Sequence, residues 1–116
     1  MDFVKNQTLK ENKDFRRLYY RGRCHATETV VVYAQKNRLG SCRYGITTGK
    51  KIGNAVTRNR ARRIIRVAFA ALEPRVGGSY DFVFVARSKT GEVKMQQVLK
   101  DMTTAFANIG VINEQN

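Results

Sequence analysis

Apolar positions along this chain fall into three helical stretches and three strand-like runs. Phe15, Leu18 and Tyr19 stand at i, i+3 and i+4, which predicts a first helix from about Asn12 to Tyr20, capped by Asn12 and stopped by Gly22. Thr29–Ala34 is rich in β-branched residues and predicts a strand. Asn37 to Ser41 reads as a turn around Gly40, and Cys42–Thr48 as a second strand. Gly49 and Gly53 bracket a loop that carries Lys50 and Lys51. A long helix follows, capped by Asn54 and stopped at Pro74, the only proline. Gly77 and Gly78 make a turn before Tyr80–Ala86, a dense run of aromatic and β-branched residues. Val98, Leu99, Met102, Ala105, Phe106 and Ile109 keep the helical period, predicting a last helix from about Glu92 to Asn108. The order is α-β-β-α-β-α, which predicts an α+β fold with a helix-covered mixed sheet.

No repeat, low-complexity tract or linker interrupts the pattern, so residues 1–116 are expected to form one domain. Its ordered core is expected over about 9–110, with residues 1 to about 8 and the last few loosely held. No apolar run approaches the roughly 20 residues that span a bilayer. The segment Met1–Lys13 lacks the apolar stretch of a signal peptide. A cytoplasmic location away from membranes is expected. Cys24 and Cys42 are then expected to be reduced thiols that pack as small hydrophobes, since they make no C-x-x-C pair.

Charge sharpens the picture. The chain carries a formal net charge of +13. From Thr29 through Leu72 there is no Asp or Glu, while Lys36, Arg38, Arg43, Lys50, Lys51, Arg58, Arg60, Arg62, Arg63 and Arg66 all lie there. A solvated face normally mixes both signs. An acid-free stretch of this kind points to a polyanion, and for a soluble chain nucleic acid is the common one.

Placed at 100° per residue, the long helix divides cleanly. Ala61, Ile64, Ile65, Ala68, Phe69 and Leu72 fall on one side and are expected to face the core. Asn59, Arg62, Arg63 and Arg66 fall opposite, with Arg58 and Arg60 at the borders. Guanidinium groups match phosphate geometry and stack on bases, which lysine does less well. A basic amphipathic helix can also bind membranes or calmodulin-like grooves. Here the apolar face is needed by the core.

Phe15 and Tyr19 lie one turn apart on a single face. Rings so placed can stack the bases of a single strand, or they can pack in the core; the residues alone leave both open. Catalytic groups are not evident. His25 is the lone histidine, no His/Cys cluster suits zinc, and the basic region has no carboxylate pair for Mg²⁺. No catalytic residue and no metal ligand is therefore assigned.

The run Lys50-Lys51-Ile52-Gly53-Asn54-Ala55-Val56-Thr57-Arg58-Asn59-Arg60, followed by Arg63 and Arg66, resembles the signature of the bacterial ribonuclease P protein family. The resemblance extends upstream through Gly22, Tyr19, Asp14-Phe15 and Asn12 to Leu9, and downstream to Asp81–Arg87 and the last helix. One departure is Gly49, where the family often has serine. The resemblance implies a single-domain α-β sandwich with a left-handed β-α-β crossover around the arginine-rich helix. It implies a subunit of an endonuclease, a hydrolase that removes the 5′ leader of precursor tRNA. The cleavage chemistry would belong to a catalytic RNA subunit, which would also hold Mg²⁺. The implied partners are that RNA and precursor tRNA, with no obligate protein partner. Lys50, Lys51, Arg58, Asn59, Arg60, Arg62, Arg63 and Arg66 would contact catalytic RNA and nearby phosphates. Phe15, Tyr19, Val31, Tyr33 and Thr47 would receive the single-stranded leader. A structural RNA-binding protein of a ribonucleoprotein such as the ribosome would share the charge and size but would need no aromatic cleft.

Overall fold

Described over residues 7–112 of a computed structural model, the chain forms eight elements. In order they are strand β1 (Gln7–Thr8), helix α1 (Asn12–Arg21), strands β2 (Arg23–Ala26), β3 (Val30–Lys36) and β4 (Arg43–Thr47), helix α2 (Ala55–Leu72), strand β5 (Tyr80–Ala86) and helix α3 (Met95–Ile109). The strands join one mixed sheet in the order β1-β4-β5-β3-β2. Strand β4 runs parallel to both β1 and β5, while β3 runs antiparallel to β5 and β2.

Period-two alternation assigns the two faces. Val30, Val32 and Ala34 of β3, Tyr44 of β4, and Phe82, Phe84 and Ala86 of β5 meet Ala61, Ile65, Ala68, Phe69 and Leu72 of α2 and the apolar stripe of α3. The Phe69 ring centre lies 5.2 Å from those of both Tyr44 and Phe84, and Phe82 stacks on Phe106 at 4.9 Å. On the other face Val83 meets Leu9 and Leu18 in a smaller core, with Phe15, Tyr33 and Val85 packed against it. Among the described residues only α1 covers that side, and beside it they leave part of the sheet open.

Tyr44 determines the hand of the β4-α2-β5 crossover. Its carbonyl accepts the Leu9 N–H at 2.8 Å, so its backbone polar groups turn toward β1 and away from β5. Its side chain packs toward α2, against Phe69. In an upward strand of L-residues, a side chain aimed at the viewer goes with N–H and C=O groups on the viewer's right. Seen from the α2 side, β1 therefore stands to the right of β4 and β5 to its left. The chain climbs β4, crosses in front through α2 and enters β5 on the left. The crossover is left-handed, against the right-handed connection in about 98% of such units.

Several details differ from the sequence pattern. Two short edge strands add to the predicted order. Arg23-Cys24-His25-Ala26 has no β-branched run, and pairing with β3 makes it a strand. Gln7 and Thr8, expected to be loosely held, pair with Arg43 and Tyr44; residues 1–6 and 113–116 lie outside the described residues. Asn12 does not cap α1. Glu11 holds the N-cap position without a side-chain hydrogen bond, and Asn12 is the first helical residue. Gly22 ends α1 in extended backbone, where a Cβ would come 2.6 Å from the Leu18 carbonyl oxygen. Helix α3 begins at Met95 rather than Glu92, because Thr90–Glu92 forms a separate short 3-10 turn. Thr90 anchors that turn by donating to the Thr29 carbonyl at 2.6 Å and accepting the Arg87 N–H at 2.8 Å. Asn54 does cap α2, its Oδ1 accepting the Thr57 N–H at 3.0 Å. Cys42 is buried as expected, but Cys24, on an edge strand, is exposed.

Candidate nucleic-acid interface

The open part of the sheet face is walled by aromatic rings from α1. Phe15 lies directly over Gly45 of β4, where an added Cβ would come 2.5 Å from the Phe15 Cζ. A glycine in mid-strand weakens the strand, and here it lets the ring rest on backbone. Phe15 is half-buried as a result. Tyr19 meets Tyr33 of β3 edge-on, with ring centres 4.9 Å apart at 71°. It remains 42% exposed, so the ring is braced yet open to solvent. Asn12, Phe15, Arg16, Tyr19, Ile46 and Thr47 line a cavity of about 360 Å³. Val31, Tyr33 and Thr47 share this sheet face by alternation, but of the three only Thr47 lines the cavity; Tyr33 stands behind Tyr19, and Val31 lies outside the lining. Burial, then the neighbouring Cys24, pushes the Tyr33 phenol above its ordinary pKa.

Gly45→Ala is expected to force Phe15 off the sheet. Inserting a methyl group at so close an approach should cost about 1–3 kcal/mol. Urea unfolding measures this, and a loss below about 0.5 kcal/mol would show that the ring gives way freely.

The basic residues form the second part of the interface. Lys50 and Lys51 stand exposed on a 3-10 turn, Lys50–Ile52. Along α2, Asn59, Arg60, Arg63 and Arg66 are exposed and Arg62 is half-buried. Among the described residues none of these cations forms an ion pair with an acid. Arg58 differs from the others. It is half-buried and donates through Nη1 to the Gly53 carbonyl at 2.7 Å, tying the lysine loop to the helix.

The two parts are joined, which the sequence did not indicate. Arg62 and Arg66 line a cavity of about 190 Å³ together with Thr8, Leu9, Phe15, Tyr44, Gly45 and Ile46. Phe15 therefore belongs to both cavities, and the guanidinium side of α2 runs into the aromatic cleft. The helical wheel placed Arg62 and Arg66 away from the core but could not show that β4 brings them beside α1.

Asp81 of β5 fixes the height of α1 over the sheet. It is 1% exposed and accepts from Arg43 Nε at 2.9 Å, Arg43 Nη2 at 2.7 Å, Asn37 Nδ2 at 2.8 Å and Arg17 Nη2 at 3.1 Å. Burial raises its carboxyl pKa, but the hydrogen bonds from Arg43, Asn37 and Arg17 outweigh that and hold it below the usual range. Arg17 sits on α1 and also binds Asp14 at 2.9 Å. One buried carboxylate thus links α1, β4, β5 and the turn after β3.

Among the described residues no group of three or more His, Cys, Asp or Glu is placed to hold a metal ion. No helix among them is long and apolar enough to cross a membrane.

Comparison with known proteins gives a consistent answer. The pattern of the family described as Ribonuclease P matches residues 3–110. The ribonuclease P protein component of Pelotomaculum thermopropionicum is 46% identical over 90 residues, covering 78% of this chain and 80% of the relative. That of Clostridioides difficile is 36% identical over 103 residues, covering 88% and 90%. In structure, the RNase P protein of Staphylococcus aureus superposes with a TM-score of 0.80 at 31% identity, covering 91% of this chain and 97% of that one. The RNase P protein of Thermotoga maritima gives 0.75 at 26% identity, covering 85% and 94%. With its arginine-rich helix, left-handed crossover and nearly full-length matches, the chain belongs to the ribonuclease P protein family.

Proposed function

We propose that this chain works as the protein subunit of the ribonuclease P endonuclease, binding a catalytic RNA subunit and the 5′ leader of precursor tRNA so that the leader is cut away. The observation that carries this reading is the continuity of the aromatic cleft with an acid-free guanidinium face. Phe15 and Tyr19 offer ring faces to unpaired bases, which stack regardless of sequence. Tyr33 braces Tyr19, and Thr47 adds a hydroxyl to the cavity wall. Lys50, Lys51, Asn59, Arg60, Arg62, Arg63 and Arg66 supply donors for phosphates, while Arg58 shapes the loop that presents the lysines. Holding the leader beside the RNA is a positioning contribution. Mg²⁺ would supply the charge stabilisation of the cleavage step and would be held by the RNA. The reading carries with it a cytoplasmic working location.

The test is cleavage of precursor tRNA in the presence of Mg²⁺. Protein freed of contaminating nuclease should leave the substrate intact, and adding the RNA subunit should yield the mature 5′ end. Cleavage at that site by the protein alone would overturn the reading.

Salt provides a second check. If roughly six phosphates are neutralised, affinity for the RNA subunit should fall with a log–log slope of about −4 to −5. Arg62→Ala or Arg66→Ala should each flatten that slope by up to about one unit. A slope that ignores either change would exclude that side chain as a phosphate contact.

A further inference from the structure

We infer that the outward face of α1 continues the leader site: a leader longer than the cleft holds crosses Arg16 and stacks a base on Tyr20. The inference rests on the leader-binding reading of the cleft. Lys13, Arg16, Arg17, Tyr20 and Arg21 line an open groove along the exposed flank of α1, from which Arg17 reaches back to Asp81 of the sheet. Tyr20 is 86% exposed, more than any other large hydrophobic side chain among the described residues. A single exposed ring needs no explanation by itself. This one stands among four cations, at the centre of their helical stripe.

The neighbouring charges are only partly matched. Arg17 is held by Asp14 and Asp81, and Lys13 lies 3.6 Å from Glu11 in a solvent-exposed pair. Arg16 and Arg21 have no acidic partner among the described residues. The groove is therefore cationic around a free aromatic face, the combination that suits single-stranded nucleic acid.

Arg16 makes the groove a continuation of the cleft rather than a separate patch. It lines the cleft cavity with Phe15 and Tyr19, and it lines the outer groove with Tyr20. On the opposite side of Phe15 stand Arg62 and Arg66. If α2 lies against the catalytic RNA, the bond to be cut is at that end. The leader then runs from Arg62 and Arg66 past Phe15 and Tyr19, and leaves over Arg16 toward Tyr20. Phosphates of the departing strand would meet Lys13 and Arg21.

The experiment measures the affinity of the reconstituted enzyme for precursor tRNAs with leaders of about 4 and about 12 nucleotides, one at the short end of common single-strand site sizes and one well inside that range. Tyr20→Ala should weaken binding of the long leader about tenfold, the loss expected for one stacked base, and leave the short leader unchanged. Tyr20→Phe, which keeps the ring, should bind both as the parent does. Tyr20 is a surface residue, so the variants should fold, which circular dichroism verifies. Unchanged binding of the long leader by Tyr20→Ala would overturn the inference, and the face would then await another partner such as an acidic protein. An equal loss at both lengths would overturn it as well. Tyr19→Ala, measured alongside, separates the two claims. If it weakens both leaders while Tyr20→Ala weakens neither, the track alone fails. If it too weakens neither, the cleft itself is not the leader site.

Discussion

Asp81→Ala is expected to destabilise the protein by about 3 kcal/mol. Removing one partner of a buried ion pair typically costs about 3–5 kcal/mol, because the other charge is left unmatched. The low end applies here, since the Arg17 and Arg43 side chains keep 32% and 27% of their exposure and can turn to water. Asn37 loses an acceptor at the same time. Asp81→Asn should cost less, because it keeps the shape and one acceptor oxygen. The carboxyl is held below its ordinary pKa in the folded protein. Its contribution is therefore fully present above the unfolded value of about 3.9 and fades as the pH falls through the lower folded value. Urea unfolding at neutral and acidic pH reads both effects. The parent should lose this contribution below about pH 4, and the alanine variant should lack it at every pH. A loss under about 0.5 kcal/mol at neutral pH would show that Asp81 does not lock α1 to the sheet.

That lock shows where sequence reading stops. The three helices, the three long strands and the two faces of α2 follow from periodicity, since Ala61, Ile65, Ala68 and Phe69 must all be buried on one side. Asn54 and Pro74 bound α2 through local chemistry that any short window contains. Asp81, by contrast, looks like the polar start of an apolar strand. Its partners Arg17, Asn37 and Arg43 come from three other segments, and only the assembled sheet brings them to one carboxylate. Gly45 likewise reads as a weak point in a strand until Phe15 is seen above it. The edge strand at Arg23–Ala26 exists because β3 offers an edge, not because its residues prefer extended backbone. The leader residues were reached by resemblance, and alternation then puts Val31, Tyr33 and Thr47 on the α1 side. It could not tell that Thr47 lines the cavity while Val31 and Tyr33 do not, nor join Phe15 to Arg62 and Arg66.

Changing Phe15 and Tyr19 to alanine is expected to remove most of the preference of the assembled enzyme for precursor over mature tRNA. Stacking on an aromatic side chain is worth about 1–3 kcal/mol per base, so two lost rings should cost at least tenfold in affinity for a precursor with a leader of several nucleotides. Mature tRNA has no leader to place in the cleft, and its binding should hardly change. The two rings are not equally safe to remove. Phe15 is half-buried over Gly45 and helps fill the smaller core, so part of its loss would appear as stability. Tyr19 is 42% exposed and braced from one side by Tyr33, which makes Tyr19→Ala the cleaner single change. The arginine control must be chosen with the same care. Arg62 and Arg66 share a cavity with Phe15, so their loss would disturb both functions. Arg60 and Arg63 are exposed and line neither cavity. Arg60→Ala with Arg63→Ala should therefore weaken assembly with the RNA subunit whichever tRNA is present. If the aromatic double variant folds and still favours precursor over mature tRNA as strongly as the parent, the rings serve only packing. The leader would then have to run along the guanidinium side of α2, where Arg62 and Arg66 would carry the discrimination instead.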